Sequence, residues 1–433
     1  MSDESDEASV ASNDRSGMAA HERLPTWGFA VTMGAGLLAS RALWLSWAQT
    51  VPVSDFAVFH RLATRIAAGE RLGPPLWERM GGWGYPVALG FVHRWFGAGH
   101  LVAELFNLVL VGVSFILLFV LAFRVGGRRA AMIAALLFLL WPEQLAFSSV
   151  LASEHLAMPL TLAALILLLP GDVRSPARLL AAGVATGLAI AVRPALASLA
   201  IAGIVSLVLD SRSRAASSAI VFALSVLATT WLWNGSVNRA LGTGELGSVW
   251  YSLMVGSNAA TGGKWSQQDL DAFASRSDWK QANDFAREEA LRRVQSLGPS
   301  YAPLVLRKMG TLWRDDGFAW RWSTGARAGR ATTLTGATAY RVATSLFHGI
   351  VWVLAALGAA AATGRLARFR GVSPEGVRLL LLFLGCGTLL HGVLETQSRY
   401  HYGLEPAALV LAAVALARLS SARGQRGSAV RSA

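Results

Sequence analysis

Apolar runs recur along the whole chain, separated mostly by short polar breaks. They lie at about 26–48, 101–123, 130–147, 153–169, 179–192, 195–209, 217–235, 341–363, 376–393 and 402–417. A hydrocarbon core of about 30 Å takes roughly 20 apolar residues of helix. The pattern therefore predicts an all-α polytopic membrane protein with about ten transmembrane helices, too many for a signal peptide or a single anchor. Several runs are short, and the pair around Arg193-Pro194 is interrupted. Broken backbone of that kind is tolerated at membrane depth where it faces protein or a cavity.

Two polar stretches are long enough to carry structure of their own. In 49–100, the residues from Asp55 to Ala68 place Phe56, Phe59, Leu62 and Ile66 at helical spacing, which predicts an amphipathic helix lying in the interface. The stretch 236–340 is too long for an ordinary connection. Its middle, 267–297, has the spacing of surface helices, and it carries Trp250, Trp265, Trp279, Trp313, Trp320 and Trp322. Tryptophans there suit anchoring at an interface or stacking on a ligand, so this stretch is expected to be a lid or an acceptor-recognising subdomain. Residues 1–24, rich in Ser, Asp and Glu, read as a disordered tail. The expected organisation is a tail (1–24), an N-terminal transmembrane catalytic module (25–235), the long loop (236–340), C-terminal transmembrane helices (341–417) and a basic tail (418–433).

Composition agrees: 54% of the 433 residues are hydrophobic and 15% charged, against about 25% charged in soluble domains. A net charge of +13 would suggest nucleic acid in a soluble protein. Here the arginines cluster between apolar runs instead: Arg124, Arg128 and Arg129; Arg174 and Arg178; Arg212 and Arg214; Arg365, Arg368, Arg370 and Arg378; and Arg418, Arg423, Arg426 and Arg431. The loops at 142–152 and 394–401 are much poorer in basic residues. This is the positive-inside bias with anionic-lipid contact, and it puts both termini in the cytoplasm and 49–100 and 236–340 outside. The single Cys386 lies in an apolar run, so no intrachain disulfide forms. No GxxxxGK[ST], HExxH or paired CxxC occurs, which leaves nucleotide and zincin chemistry without support.

Four places join ionisable residues to apolar runs. Asp55 follows the first run, just beyond one membrane face, where an acid can act on a substrate whose tail lies in the bilayer. Glu154 and His155 stand at the end of a run, where an ionisable residue is costly; carboxylate plus imidazole is half of a divalent-metal site. Arg193 breaks the charge bias, and a guanidinium there either grips a phosphate or pairs with a buried acid. Glu395, Arg399, Tyr400, His401 and Tyr402 open the last run, as a binding cluster or an aromatic belt.

Taken in order, SDFAVFHRLATRIAAGE (54–70), GYP (84–86), SEH (153–155), GLAIAVRPA (187–195), YSLMVGSNAATGGKW (251–265) and RYHYGLEP (399–406) resemble the membrane glycosyltransferases of the GT-C fold. The resemblance is to the family 39-like bacterial branch related to protein O-mannosyltransferases and the lipid A aminoarabinose transferase, and it runs from Leu24 to about Ala417. It implies a sugar donor linked to polyprenyl phosphate, an acceptor in the cell envelope, and a bacterial cytoplasmic membrane location with the active site outside. It also implies Asp55 as general base and, as in some members, a divalent metal at Glu154 with His155. Arg193 and Arg399, with His401, correspond to the donor-phosphate residues, and Tyr251, Asn258 and Trp265 to acceptor or lid residues. Asp55 is followed by Phe56 where several relatives carry a second acid, which counts against a metal at that acid. A flippase of lipid-linked sugars, which needs no base, a surface-glycan polymerase or ligase, and a noncatalytic scaffold are the alternatives.

Overall fold

The computed structural model describes residues 27–48, 50–169, 175–210, 215–324, 334–363 and 372–431. Regular structure among them is entirely helical. The expected tail at 1–24 lies outside the described residues, as do Arg174, Arg212, Arg214, Arg365, Arg368 and Arg370.

Helix α1 (Trp27–Ala48) is the first apolar run. Helices α2 (Asp55–Ala67), α3 (Leu76–Arg79) and α4 (Gly84–Phe96) make up the first polar stretch, with α2 packed along α4 as its apolar spacing requires. Helix α5 (His100–Leu140) takes in most of two runs that the sequence pattern separates. Its 41 residues would extend about 60 Å, twice the hydrocarbon thickness. The path breaks at Gly127, whose φ of 75° is open to glycine without a Cβ penalty. Then follow α6 (Pro142–Phe147), α7 (Glu154–Leu168), α8 (Pro176–Val192), a 3₁₀ turn at Pro194–Leu196, α9 (Ala197–Val208) and α10 (Ala215–Leu241).

The second polar stretch folds as α11 (Val249–Gly256), α12 (Gln267–Ala274), α13 (Trp279–Leu297), α14 (Tyr301–Trp313) and α15 (Ala319–Thr324). Ser248, Ser266 and Asp278 cap α11, α12 and α13 by accepting from backbone amides of their first turns. A small core of its own, with Tyr251, Met254, Phe273 and Trp279, holds α11 to α13 together. The chain ends with α16 (Leu334–Thr363), α17 (Pro374–Val393), a 3₁₀ turn at Ser398–Gly403 and α18 (Glu405–Arg431), which runs on through the expected basic tail.

Among the described residues, five helices are long and apolar enough to cross a membrane: Gly28–Ala48, His100–Leu140, Ala215–Leu241, Gly336–Ala360 and Pro374–Val393. All ten runs fall on helix, but α7, α8 and α9 are shorter than a full span.

Packing follows residue size. Gly183 and Gly187 on α8 lie against Ser225 and Thr229 of α10, so close that a Cβ at either would collide. The alanine-rich start of α18 is buried all round, between α5, α16 and α17, as a helix apolar on every face must be. Arg41, buried within α1, donates to the carbonyls of Leu139 at 2.8 Å and Phe138 at 3.2 Å and to Gln144 at 2.8 Å. A cation thus caps the open carbonyls at the end of α5.

Candidate active site

Asp55 is the first residue of α2. Ser54 delivers it with φ 53° and ψ −135°, the one non-glycine residue among those described with a positive φ. Such a sparsely populated conformation costs about 1–3 kcal/mol and is held where surroundings enforce it. The Asp55 carboxylate, 56% exposed, accepts from Arg399 at 3.1 Å.

Arg399 stands on the 3₁₀ turn that opens α18. Its guanidinium lies 5.5 Å from the ring centre of Tyr400 and 5.9 Å from that of Phe56. Arg193 lies 5.6 Å from the same Tyr400 ring, so two arginines remote in sequence share one aromatic. Of the two readings of Arg193, pairing with a buried acid is the one observed: it meets Glu154 at 2.5 Å and donates to Ser153 Oγ at 3.3 Å. Tyr400 donates its hydroxyl to Glu395 at 3.0 Å, and Gln397 donates to the same oxygen at 2.8 Å. Burial pushes the Glu395 carboxyl up from its usual range; the Gln397 and Tyr400 hydrogen bonds only partly offset this. Asp55, Glu154, Arg193, Arg399 and Glu395 thus form one ionic patch.

A cavity of about 340 Å³ opens beside Arg399, lined also by Trp320, Arg321, Trp322, Arg341 and Gln397. Its three arginines suit a phosphate, and its indoles suit the apolar face of a sugar. Trp320 continues into an aromatic cluster with Trp44 and Trp47 of α1, each 6.1 Å from it, and Tyr340 at 5.0 Å.

The remaining candidates separate. Tyr251 is buried with its hydroxyl unpartnered, and burial followed by the Glu395 charge raises its pKa. Asn258 is engaged within its own loop, donating to Asp269 at 2.9 Å and accepting from the Ala260 amide at 3.1 Å. Trp265 is half exposed. His401 faces away from the patch, fully buried, with Nδ1 2.8 Å from the Leu312 carbonyl and Nε2 3.3 Å from Asp316. Glu154 and His155 do not converge on one metal position. The Glu154 oxygens lie against Arg193 and Ser153, while His155 Nε2 meets the Phe147 carbonyl at 3.0 Å. Neighbours on a helix point about 100° apart, and these two follow that rule.

Lys308 joins the helices of the second polar stretch to the long apolar helices. Fully buried, its ammonium donates to the carbonyls of Gly256 at 2.7 Å, Val393 at 2.8 Å and Leu394 at 2.9 Å. The Glu395 amide also donates to Ser252 and that of Thr396 to Gly263. The segment expected to act as a lid is thereby fastened to the loop that carries Arg399.

Sequence reasoning passed over Arg321, Arg341, Asp316 and His348. Only His348 carried a local signal, being an imidazole inside an apolar run.

A family model described as dolichyl-phosphate-mannose-protein mannosyltransferase matches residues 84–233. No curated protein matches the chain by sequence. Among solved structures, the oligosaccharyltransferase of Archaeoglobus fulgidus in its apo form aligns with a TM-score of 0.53 and 17% identity, over 93% of this chain and 52% of that one. AglB of the same organism, in complex with an inhibitory peptide and a dolichol-phosphate, aligns at 0.51 and 16%, over 93% and 51%. ArnT from Cupriavidus metallidurans, bound to undecaprenyl phosphate, aligns at 0.39 and 16%, over 87% and 78%. The chain spans about half the length of the archaeal oligosaccharyltransferases it matches. It is a polytopic helical membrane protein of the GT-C fold, in keeping with the motif resemblance.

Proposed function

We propose that the protein is a membrane glycosyltransferase that moves a sugar from a polyprenyl-phosphate carrier to a hydroxyl of an extracytoplasmic lipid, glycan or protein. The observation that carries this reading is the accessible Asp55 carboxylate, 3.1 Å from Arg399 at the edge of an arginine- and tryptophan-lined cavity. A cavity of about 340 Å³ is within the usual size of a small-ligand site.

The donor phosphate sits among Arg399, Arg321 and Arg341, and the prenyl tail leaves past Trp320, Trp44 and Trp47. When the phosphate takes Arg399, Asp55 is released from its partner. The acceptor oxygen then attacks the anomeric carbon as the bond to the phosphate oxygen breaks. The acceptor proton goes to Asp55, and the leaving polyprenyl phosphate keeps its charge on the arginines. One such displacement inverts the anomeric centre. Arg193 and Glu154 act behind this as a neutralised pair that supports Tyr400 and Ser153.

Asp55→Asn keeps size and removes the proton acceptor. Turnover should fall about 10²- to 10⁴-fold, the range of general-base contributions, with donor affinity little changed. Transfer at the wild-type rate by that variant would eliminate Asp55 as the base and favour a carrier that moves the lipid without chemistry. The outward orientation is tested separately by a cysteine at Ser277, exposed in the link between α12 and α13, in a Cys386→Ala background. Labelling only after permeabilisation would reverse the topology.

A further inference from the structure

Below the ionic patch lies a second cluster that the transfer reading does not use. It brings together Asp316 from the link between α14 and α15, His348 from α16, His401 from the 3₁₀ turn and Glu405 at the start of α18, all buried. Each of the four has one polar atom tied outward. Asp316 Oδ2 accepts from the Trp141 indole at 3.1 Å, and Glu405 Oε2 accepts from the Trp352 indole at 3.3 Å. His401 Nδ1 faces the Leu312 carbonyl at 2.8 Å, and His348 Nε2 faces the Trp313 carbonyl at 3.2 Å.

A ring nitrogen against a carbonyl must carry the proton, so in each neutral imidazole the other nitrogen presents a lone pair. The four inward atoms are then His401 Nε2, His348 Nδ1, Asp316 Oδ1 and Glu405 Oε1: acceptors facing acceptors. His348 Nδ1 and Glu405 Oε1 are buried without a hydrogen-bond partner. The ligand atoms of Asp316, His348 and His401 all lie within 4.8 Å of one another. Two buried carboxylates and four inward acceptors call for positive charge between them.

Protons on both rings are one source of that charge, and a cation is the other. Imidazolium–carboxylate hydrogen bonds close to about 2.7–2.9 Å. The two contacts here, His401–Asp316 and His348–Glu405, are both 3.3 Å. Ligand atoms about 2.0–2.1 Å from a tetrahedral Zn²⁺ stand roughly 3.3–3.4 Å apart. The outward ties of both histidines to carbonyls are also the partners by which metal-bound imidazoles are oriented.

The geometry points to a buried divalent-metal site, suited to Zn²⁺, formed by the two nitrogens and one oxygen of His348, His401 and Asp316, with Glu405, which stands 3.3 Å from His348 but outside that group, drawn in as the fourth ligand. With all four positions taken by protein the ion is structural. It fastens the turn that carries Arg399 to α16 and to the link before α15, and it is independent of whether the patch above transfers sugar.

The test uses the full chain in detergent, purified without a polyhistidine tag and stripped by chelator. Titration with Co²⁺ should give the visible absorption of a tetrahedral complex at one equivalent, bleached by one equivalent of Zn²⁺. Zn²⁺ should also raise the unfolding midpoint by a few degrees. His348→Ala and His401→Ala should each weaken binding at least about 100-fold, and Trp141→Phe, which removes the tie to Asp316 together with part of the stack on Tyr402, about 10- to 100-fold. His155→Ala should leave stoichiometry and spectrum unchanged. Should a histidine variant fail to fold, Glu405→Gln serves, with weaker binding and an altered spectrum. A stripped wild type that elutes as a single folded peak yet gives no tetrahedral Co²⁺ spectrum would overturn the site. So would binding that survives both histidine substitutions.

Discussion

The turn from Ser398 to Gly403 feeds two regions of opposite character. Arg399 reaches out to a carboxylate that is more than half exposed, whereas His401, two residues on, reaches into a pocket where neither partner touches solvent. The contacts are of similar length, 3.1 and 3.3 Å, but the surroundings give them different uses. In the open region an ion pair is worth little and exchanges readily, as the proposed transfer requires of a carboxylate that yields its arginine to the donor. In the closed region every polar atom must be matched or the fold loses several kcal/mol, as suits a fastening.

The comparison breaks most sharply if the two acids are exchangeable. Asp55→Asn should lower turnover about 10²- to 10⁴-fold and leave the thermal midpoint nearly unchanged. Asp316→Asn should do the reverse, lowering the midpoint first; calorimetry beside a transfer assay separates them. Next in size is Arg193→Ala, which strands the buried Glu154 and should cost about 3–5 kcal/mol of stability. Adding Glu154→Gln should recover much of that loss, and a double-mutant cycle by denaturant unfolding measures it. In the open region, Arg341→Ala should weaken binding of a polyprenyl-phosphate analogue by about 10- to 100-fold, the scale of one charge-assisted hydrogen bond, without moving the midpoint.

The smallest effect concerns pH. His93 is buried beside His60, with neither ring nitrogen bonded; His100 lies on the other side of His60, 3.3 Å from Glu104. Burial, then the His60 charge, holds its pKa down to about 4. The unfolded chain takes up that proton near pH 6.5 and the folded one does not. The stability is therefore fully present above about pH 6.5 and is lost as pH falls towards 4. The unfolding midpoint should drop by a few degrees across that window, and His93→Phe should flatten the drop.

Hydropathy made the helices legible because each apolar run has only one way to bury its backbone. It did not set the count, since three of the runs fold as helices too short to span and two others meet at Gly127, where one backbone torsion serves as the junction. Asp55, Glu154, Arg193 and Arg399 stood out because charge beside an apolar run is costly, and the fold gathers all four. What the sequence could not convey was direction. Glu154 and His155 are adjacent and so read as a pair, yet successive helical positions diverge. His401 sits in the same motif as Arg399 but one turn of 3₁₀ helix sends it inward. Asp316 lies in a polar RDDG segment that looks like any loop; its role depends on Trp141, 175 positions away.

Ser54 carries one more consequence. A residue with φ 53° would be more comfortable as glycine, by about 1–3 kcal/mol. A saturation library at this position, sorted for folded protein, should therefore return glycine ahead of serine and exclude valine and isoleucine. Sorted for transfer, the same library should narrow. A glycine there frees the peptide to swing, and the aim of the next side chain becomes a distribution rather than a direction.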